Sequence, residues 1–262
     1  MGEDKVLFDV VDGVGAVTFN RPAEANAMDL DVMRELMHKS IECDEDPSIR
    51  AVIITGNGRF FSAGGDIAAF DKAGEHAGAL IKEMTTYYHA AISRFSRMDG
   101  PVIAAVNGMA AGAGFSLVAA CDLAIGAESS QYTSAYTAAS LSPDGSSTYF
   151  LPRLVGMRRA MELMLTNRRL SSAEALEWGL INEVVPDADL MPHVMELARQ
   201  FAYGATLAYG KVKSLLHDSL ANTLESQMEL ESRGIAALTH THDGREGVVA
   251  FREKRPPKFE GR

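Results

Sequence analysis

Cysteine is nearly absent from this chain of 262 residues, which has only Cys43 and Cys121. Two thiols cannot build a disulfide framework, and both sit in apolar helical patterns. They read as buried thiols in a reducing compartment, not as a disulfide or a metal site. Positive charge is also scarce: 25 Lys and Arg stand against 35 Asp and Glu, a net charge of −10. That balance argues against a nucleic-acid partner. Every apolar run is shorter than a membrane span, and the opening Met-Gly-Glu-Asp-Lys lacks a leader pattern. The expectation is a cytoplasmic protein with no membrane partner.

Two glycine signatures are missing as well. A dinucleotide fingerprint needs a third glycine where Leu117 stands, and no Gly-Lys-Ser/Thr of a P-loop occurs. What is present instead is PVIAAVNGMAAGAGFSLVAACD, Pro101 to Asp122. It reads as a buried strand over 101–106, a turn with Asn107, Gly108, Gly112 and Gly114, and an apolar helix over 112–121. Such a junction leaves backbone N–H groups free to hold an anion or a developing oxyanion. The small residues equally suit tight packing of a helix on a strand.

A second junction shifts that balance. Residues 51–55 (AVIIT) read as a buried strand, Gly56-Asn57-Gly58 as a turn, and FFSAGGDI follows, with Asp66 placed to cap a helix. Two such junctions can aim two N–H groups at one carbonyl oxygen.

The remaining pattern is α/β. Val6–Val11 and Val14–Phe19 read as a hairpin around Asp12-Gly13. Asp29 or Asp31 caps a helix to about Cys43, with Val32, Leu36, Met37 and Ile41 as its apolar stripe. A helix is expected over 78–97 and a strand over 123–127. Residues 190–203, 206–216 and 222–239 read as helices, and composition shifts near Gly204. The expected division is a core over 1–203 and a helical region over 204–262. No internal sequence repeat is visible. His240, His242 and Asp243 lack the i,i+4 spacing of a helical metal pair, so Asp243 reads as a helix cap. Arg158, Arg159, Arg168 and Arg169 read as helix surface.

At this point the chain resembles the crotonase superfamily, the enoyl-CoA hydratases and isomerases. The match runs from Asn20-Arg21-Pro22 and Asn26-Ala27-Met28 through FFSAGGDI, PVIAAVNGMAAGAG, PDGSSTYFLPRLVG and WGLINEVV to REGVVAFREKRPPKF. The resemblance implies a spiral of strand-strand-helix turns whose C-terminal helices pack a homotrimer or a dimer of trimers. It implies oxyanion donors at the N–H groups of Gly65 and Ala113, and an acyl-CoA thioester as substrate with no separate cofactor. Glu24, Ala25 and Ala27 match a loop lining the CoA cleft, and Ala63, Asp66 and Ile67 flank it. Phe251 and Lys254 match a helix that reaches a neighbouring subunit's CoA, although a plain amphipathic helix explains them equally well.

The two glutamates of the hydratases fall here on Ser116 and Tyr136. Neither can replace an acid/base carboxylate pair. Asp144, in LSPDGSS, matches the aspartate of ring-opening phenylacetyl-CoA isomerases and related enoyl-CoA isomerases, and is expected to lie against Tyr149 and Phe150. The same Pro-Asp-Gly also reads as a turn and a helix cap. His89 and Asp144 together match the catalytic pair of 4-chlorobenzoyl-CoA dehalogenases, where a Trp stands at the position of Tyr136. A lone helical His is otherwise a surface or core residue. Four readings follow: an isomerase using Asp144, a dehalogenase-like enzyme using Asp144 as nucleophile, a hydratase with a different acid/base set, and a non-catalytic CoA-binding protein. Pocket walls are expected from several loops, including residues 68–79.

Overall fold

The structure, a computed structural model, describes residues 4–262, so the first three residues of the N-terminal reading lie outside it. Strands β1 (Val6–Val11) and β2 (Val14–Phe19) pair antiparallel around Asp12 and Gly13. Both turn residues have positive φ, 54° and 78°, as a two-residue hairpin with right-handed twist requires. Asp29 caps α1 (Leu30–Glu45), its carboxylate accepting from the Val32 N–H at 2.9 Å. Val32, Met33, Leu36 and Cys43 are the buried apolar residues of α1, while Ile41, expected in the apolar stripe, is exposed.

The chain then repeats one plan. β3 (Ala51–Gly56), β4 (Phe60–Ser62), α2 (Ile67–Ala73) and α3 (Ala77–Arg97) form one turn. β5 (Val102–Val106), β6 (Met109–Ala111) and α4 (Ala113–Ala120) form the next. β7 (Leu123–Ala127), β8 (Gln131–Thr133), α5 (Ser147–Val155) and α6 (Met157–Thr166) form a third. β9 (Leu170–Ser171), α7 (Ser172–Glu177) and β10 (Glu183–Val185) follow, and then α8 (Leu190–Ala202), α9 (Thr206–Ser219), α10 (Leu224–Leu238) and α11 (His242–Glu253).

Each turn places one strand in a six-stranded sheet, ordered β1-β2-β3-β5-β7-β10, and one in a four-stranded sheet, ordered β4-β6-β8-β9. Helices cover both faces of the large sheet. Val52 and Ile54 of β3 point into the main core with Leu36, Tyr88 and Phe115. Ala51 and Ile53 point the other way, against Val194 and Ala198 of α8. Burial on both faces is why this strand reads as a continuous apolar run. The short strands β6 and β8 were not expected, since Met109–Ala111 and Gln131–Thr133 carry too few residues to show a period. Residues 68–79, expected as loop, are helical over most of their length.

α9 is tied to the core by Lys213, whose ammonium donates to the Phe95 and Gly100 carbonyls and pairs with Asp122 at 2.7 Å. Asp243 is not a cap. Thr241 caps α11, accepting from the Gly244 N–H, and Asp243 instead holds the C-terminal tail. Cys121 follows α4 at its C-cap and is not within a helix, and burial pushes its thiol and that of Cys43 upward, Cys43 to about 12. Arg158 and Arg159 lie on α6, whereas Arg168 and Arg169, expected on a helix surface, lie in the segment between α6 and β9. Arg168 pairs with Glu162 and Glu174 and, with Arg159, lies over the Trp178 ring. No helix among the described residues is long and apolar enough to cross a membrane.

Candidate active site

The two glycine junctions meet. Gly64, between β4 and α2, has φ of 93°. A Cβ there would lie 2.8 Å from the Ala111 carbonyl oxygen and 3.0 Å from the Ala113 nitrogen. Only glycine allows this approach and this backbone conformation. It brings Gly65 and Ala113 to the wall of one cavity. Among the described residues neither N–H meets an acceptor within the chain. Ala113 is the first residue of α4, where an unpaired donor is inherent to the helix.

The loop after β2 sets the first junction. Met28 N–H donates to the Gly64 carbonyl at 2.7 Å, and Asp66 N–H donates back to the Met28 carbonyl at 3.0 Å. Buried Asn26 donates to the Asn57 and Phe60 carbonyls and accepts from the Arg21 N–H. Arg21 donates to the Ala27 carbonyl and pairs with Asp66 at 3.0 Å. Asp66 also caps α2 through the Ala69 N–H, so its carboxylate is occupied by structure. The roles of Arg21 and Asn26 were not read from sequence. Their signal is the Asn-Arg-Pro and Asn-Ala-Met pair itself, whose more distant partners lie 31 to 45 positions away.

Asp144 stands across the cavity. It precedes Gly145, whose φ is 59° and where a Cβ would fall 2.4 Å from the Tyr88 ring and 2.9 Å from Ser116 Cβ. The Asp144 side chain caps no helix; its Oδ1 accepts from the Tyr136 hydroxyl at 2.5 Å. The Tyr136 and Ser116 hydroxyls lie 2.9 Å apart. The two positions at which the hydratase glutamates are missing are thus joined to Asp144. Burial, and after it the Asp144 carboxylate, push the Tyr136 phenol well above its ordinary value. Tyr136 therefore keeps its proton and donates. Beneath them, fully buried Tyr88 donates to the Ala113 carbonyl.

The cavity has a volume of about 400 Å³. Its apolar walls include Met33, Phe70, Ile81 and Met84, with Ala63 and Ile67 also lining it. Asp144 is its one carboxylate among the described residues. Tyr149 and Phe150 do not pack over Asp144 as expected. They line a neighbouring cleft with His89 and His217. Tyr149 and Phe150 lie on α5, with Phe150 half-buried against the core and Tyr149 exposed. His89 accepts from the Gly145 N–H through Nε2 at 3.2 Å, so its ring stands behind the wall. Ala25 and Ala27 lie in the loop that braces the first junction, where the Ala25 carbonyl accepts from the Ala63 N–H. Phe251, 89% exposed, and Lys254 lie at the end of α11 and do not line the cavity.

A sequence profile of the enoyl-CoA hydratase/isomerase family matches residues 9–262. The chain belongs to that family. It is 37% identical over 245 residues to 4-chlorobenzoyl coenzyme A dehalogenase-2 of Arthrobacter sp, covering 93% of this chain and 88% of the relative. It is 36% identical over 259 residues to 1,2-epoxyphenylacetyl-CoA isomerase of Escherichia coli (strain K12), covering 98% of each. The solved structure of an enoyl-CoA hydratase from Bacillus anthracis superposes with a TM-score of 0.90 at 32% identity, covering 98% of this chain and all of that one. The expected crotonase-type architecture with a helical C-terminal region is therefore the observed one. The relatives carry out different reactions, so family membership establishes an acyl-CoA enzyme of this class and leaves the reaction to the site.

Proposed function

We propose that this member of the enoyl-CoA hydratase/isomerase family moves a double bond within an enoyl-CoA. Asp144 removes a proton from the carbon alpha to the thioester. The C–H electron pair passes into the conjugated system, and the thioester oxygen becomes an enolate oxygen held by the Gly65 and Ala113 N–H groups. Asp144 then returns the proton two carbons away. One carboxylate suffices for this shuttle. The observation that carries the reading is that, among the described residues, Asp144 is the single carboxylate in the cavity lined by Gly65 and Ala113, whose N–H groups meet no acceptor within the chain.

A second reading uses Asp144 as a nucleophile on an aryl-CoA ring with His89 activating water, and the 37% identity to a dehalogenase favours it. The position of His89 weighs against it, since its Nε2 lone pair is engaged by the Gly145 N–H behind the cavity wall. A water-adding reaction lacks its usual carboxylate pair. A purely CoA-binding role leaves the Asp144–Tyr136 pair without a task.

The catalyst is proposed to act in the cytoplasm as a homotrimer or dimer of trimers, with a core over 1–203 and the helical region over 204–262. Leu216, Leu220, Leu224 and Ile235 on α9 and α10 and just after α9 are strongly exposed in the single chain, which supports burial against further copies. Phe251 and Lys254 would then approach a neighbour's CoA, while Ala25 and Ala27 with Ala63, Asp66 and Ile67 border the chain's own.

The test is proton exchange in D2O on 3-enoyl-, 2-enoyl- and aryl-CoA thioesters, with Asp144→Asn beside wild type. Exchange or double-bond migration that disappears in Asp144→Asn is expected. An aryl ester trapped on Asp144, with no exchange on any enoyl-CoA, would replace this reading with the nucleophilic one.

A further inference from the structure

The Ala113 N–H belongs to the same peptide group as the Gly112 carbonyl. That carbonyl accepts from the Ser116 N–H at 3.0 Å and lies 3.2 Å from the Ser116 hydroxyl, within reach of its hydrogen. A hydrogen bond to an amide carbonyl strengthens the N–H at the other end of the amide. The strength of one oxyanion donor is therefore tied to what the Ser116 hydroxyl does.

That hydroxyl has one hydrogen and two possible acceptors. One is the Gly112 carbonyl. The other is the Tyr136 oxygen at 2.9 Å. Tyr136 also has one hydrogen, and it goes to Asp144 while Asp144 carries its negative charge. The phenol oxygen is then a good acceptor, and the Ser116 hydrogen is drawn to it, away from Gly112.

The geometry points to a switch in hydrogen-bond direction in which Ser116 and Tyr136 couple the charge on Asp144 to the donor strength of the Ala113 N–H. When Asp144 takes a proton, its pull on the Tyr136 hydrogen weakens. The phenol hydroxyl rotates toward Ser116 Oγ, and the Ser116 hydroxyl rotates toward the Gly112 carbonyl. Two hydroxyl rotations occur and no further bond to hydrogen breaks. The Ala113 N–H strengthens when the thioester oxygen becomes an enolate, because one proton movement triggers both events. Ser116 and Tyr136 are positioning residues in this scheme. Ser116 is fully buried, so water does not compete for its hydrogen.

The inference rests on the reading that a thioester oxygen sits between the Gly65 and Ala113 N–H groups. It does not need the reaction to be isomerisation. The probe is butyryl-CoA with 13C at the thioester carbon, bound to the full-length protein, and the readout is the infrared frequency of its C=O stretch. Asp144→Asn supplies a permanently neutral partner for Tyr136. It is expected to move the stretch to lower frequency. In a Ser116→Ala background the same change is expected to lose roughly half of that movement or more. Tyr136→Phe, which keeps the ring and removes the hydroxyl, is expected to do the same and serves if Ser116→Ala fails to fold. An Asp144→Asn shift that is equally large without the Ser116 or Tyr136 hydroxyl overturns the switch. A bound probe whose stretch does not move on binding to wild type overturns it too. Proton exchange separates the two ideas. Exchange that depends on Asp144, with no frequency coupling, removes the switch and leaves the shuttle. Frequency coupling without exchange on any substrate supports the switch and removes the shuttle.

Discussion

The Tyr136 hydroxyl holds Oδ1 of Asp144 at 2.5 Å, which leaves the other carboxylate oxygen free to face the cavity. A base held in this way has its orientation set before substrate arrives. Asp144→Asn preserves size and polarity but cannot accept a proton from carbon. Its rate of alpha-proton exchange should fall by about 10²–10⁴-fold. Acyl-CoA affinity, measured by calorimetry, should change little, because the proposed reading places the CoA moiety against Ala25, Ala27, Ala63 and Ile67 and not against Asp144. A variant that still exchanges at the wild-type rate would remove Asp144 from the chemistry.

Gly64→Ala tests the meeting of the two junctions. The added Cβ would press on the Ala111 carbonyl and the Ala113 nitrogen, both backbone atoms that cannot move alone. The positive φ of Gly64 adds strain of about 1–3 kcal/mol for a side-chain-bearing residue. The first expectation is a lower urea midpoint. The second is a fall in kcat of about 10²–10³-fold in whatever protein remains folded, the usual effect of losing an oxyanion donor. Unchanged kcat in a folded variant would show that these two N–H groups do not hold the reacting oxygen.

The long strands β3 and β5 and the helices α3 and α4 of the first two turns could be read from the sequence because their burial is repetitive. Residues 51–55 sit in a sheet covered on both faces, so every position is apolar. The two glycine turns were legible for a related reason: two backbones that touch exclude side chains, and that leaves glycine in the sequence. The small sheet was not legible, because three-residue strands such as Met109–Ala111 show no period. The surroundings of Asp144 were misjudged. Tyr149 and Phe150 are near it in sequence, yet α5 points them into the adjacent cleft. Its hydrogen-bond partner, Tyr136, belongs to the segment after β8 and was visible only through the family resemblance, as a missing glutamate and as the position of the dehalogenase Trp. The brace formed by Arg21, Asn26 and Asp66 was hidden likewise, since a pairing across 45 positions leaves no local pattern.

Lys213 gives a prediction about stability alone. Its ammonium is buried, with two carbonyls and the Asp122 carboxylate around it. Burial raises Asp122 above its ordinary value despite the attraction of Lys213, so the pair is held against a desolvation cost. Lys213→Met leaves Asp122 and two carbonyls without their partner. Removing one member of a buried pair destabilises by about 3–5 kcal/mol. Urea unfolding should show the loss as a lower midpoint with α9 released from the core. A change below about 1 kcal/mol would mean that the pair behaves as an exposed one.

The C-terminal tail should come off α11 in acid. Asp243 accepts from the Glu260 and Gly261 N–H groups at 2.8 and 2.7 Å. Its burial opposes ionisation, but these bonds and His242 outweigh it and keep the carboxyl below its ordinary value. Glu246 accepts from Arg255 and from the Lys258 N–H, and is lowered from 4.5 to about 2, with Arg255 the largest cause. Both carboxyls thus have a lower pKa when folded than when unfolded. As pH falls these two carboxyls bind protons first in molecules whose tail is released, so the clamp is complete above pH 4.5 and is lost as pH drops through about 2. Amide-exchange protection at Lys258, Glu260 and Gly261 should be steady near neutral pH and fall across that acid window. Glu246→Gln should lower protection at Lys258 already at neutral pH and flatten its acid dependence. Protection at all three amides that stays constant down to about pH 2 would show that these carboxylates do not hold the tail.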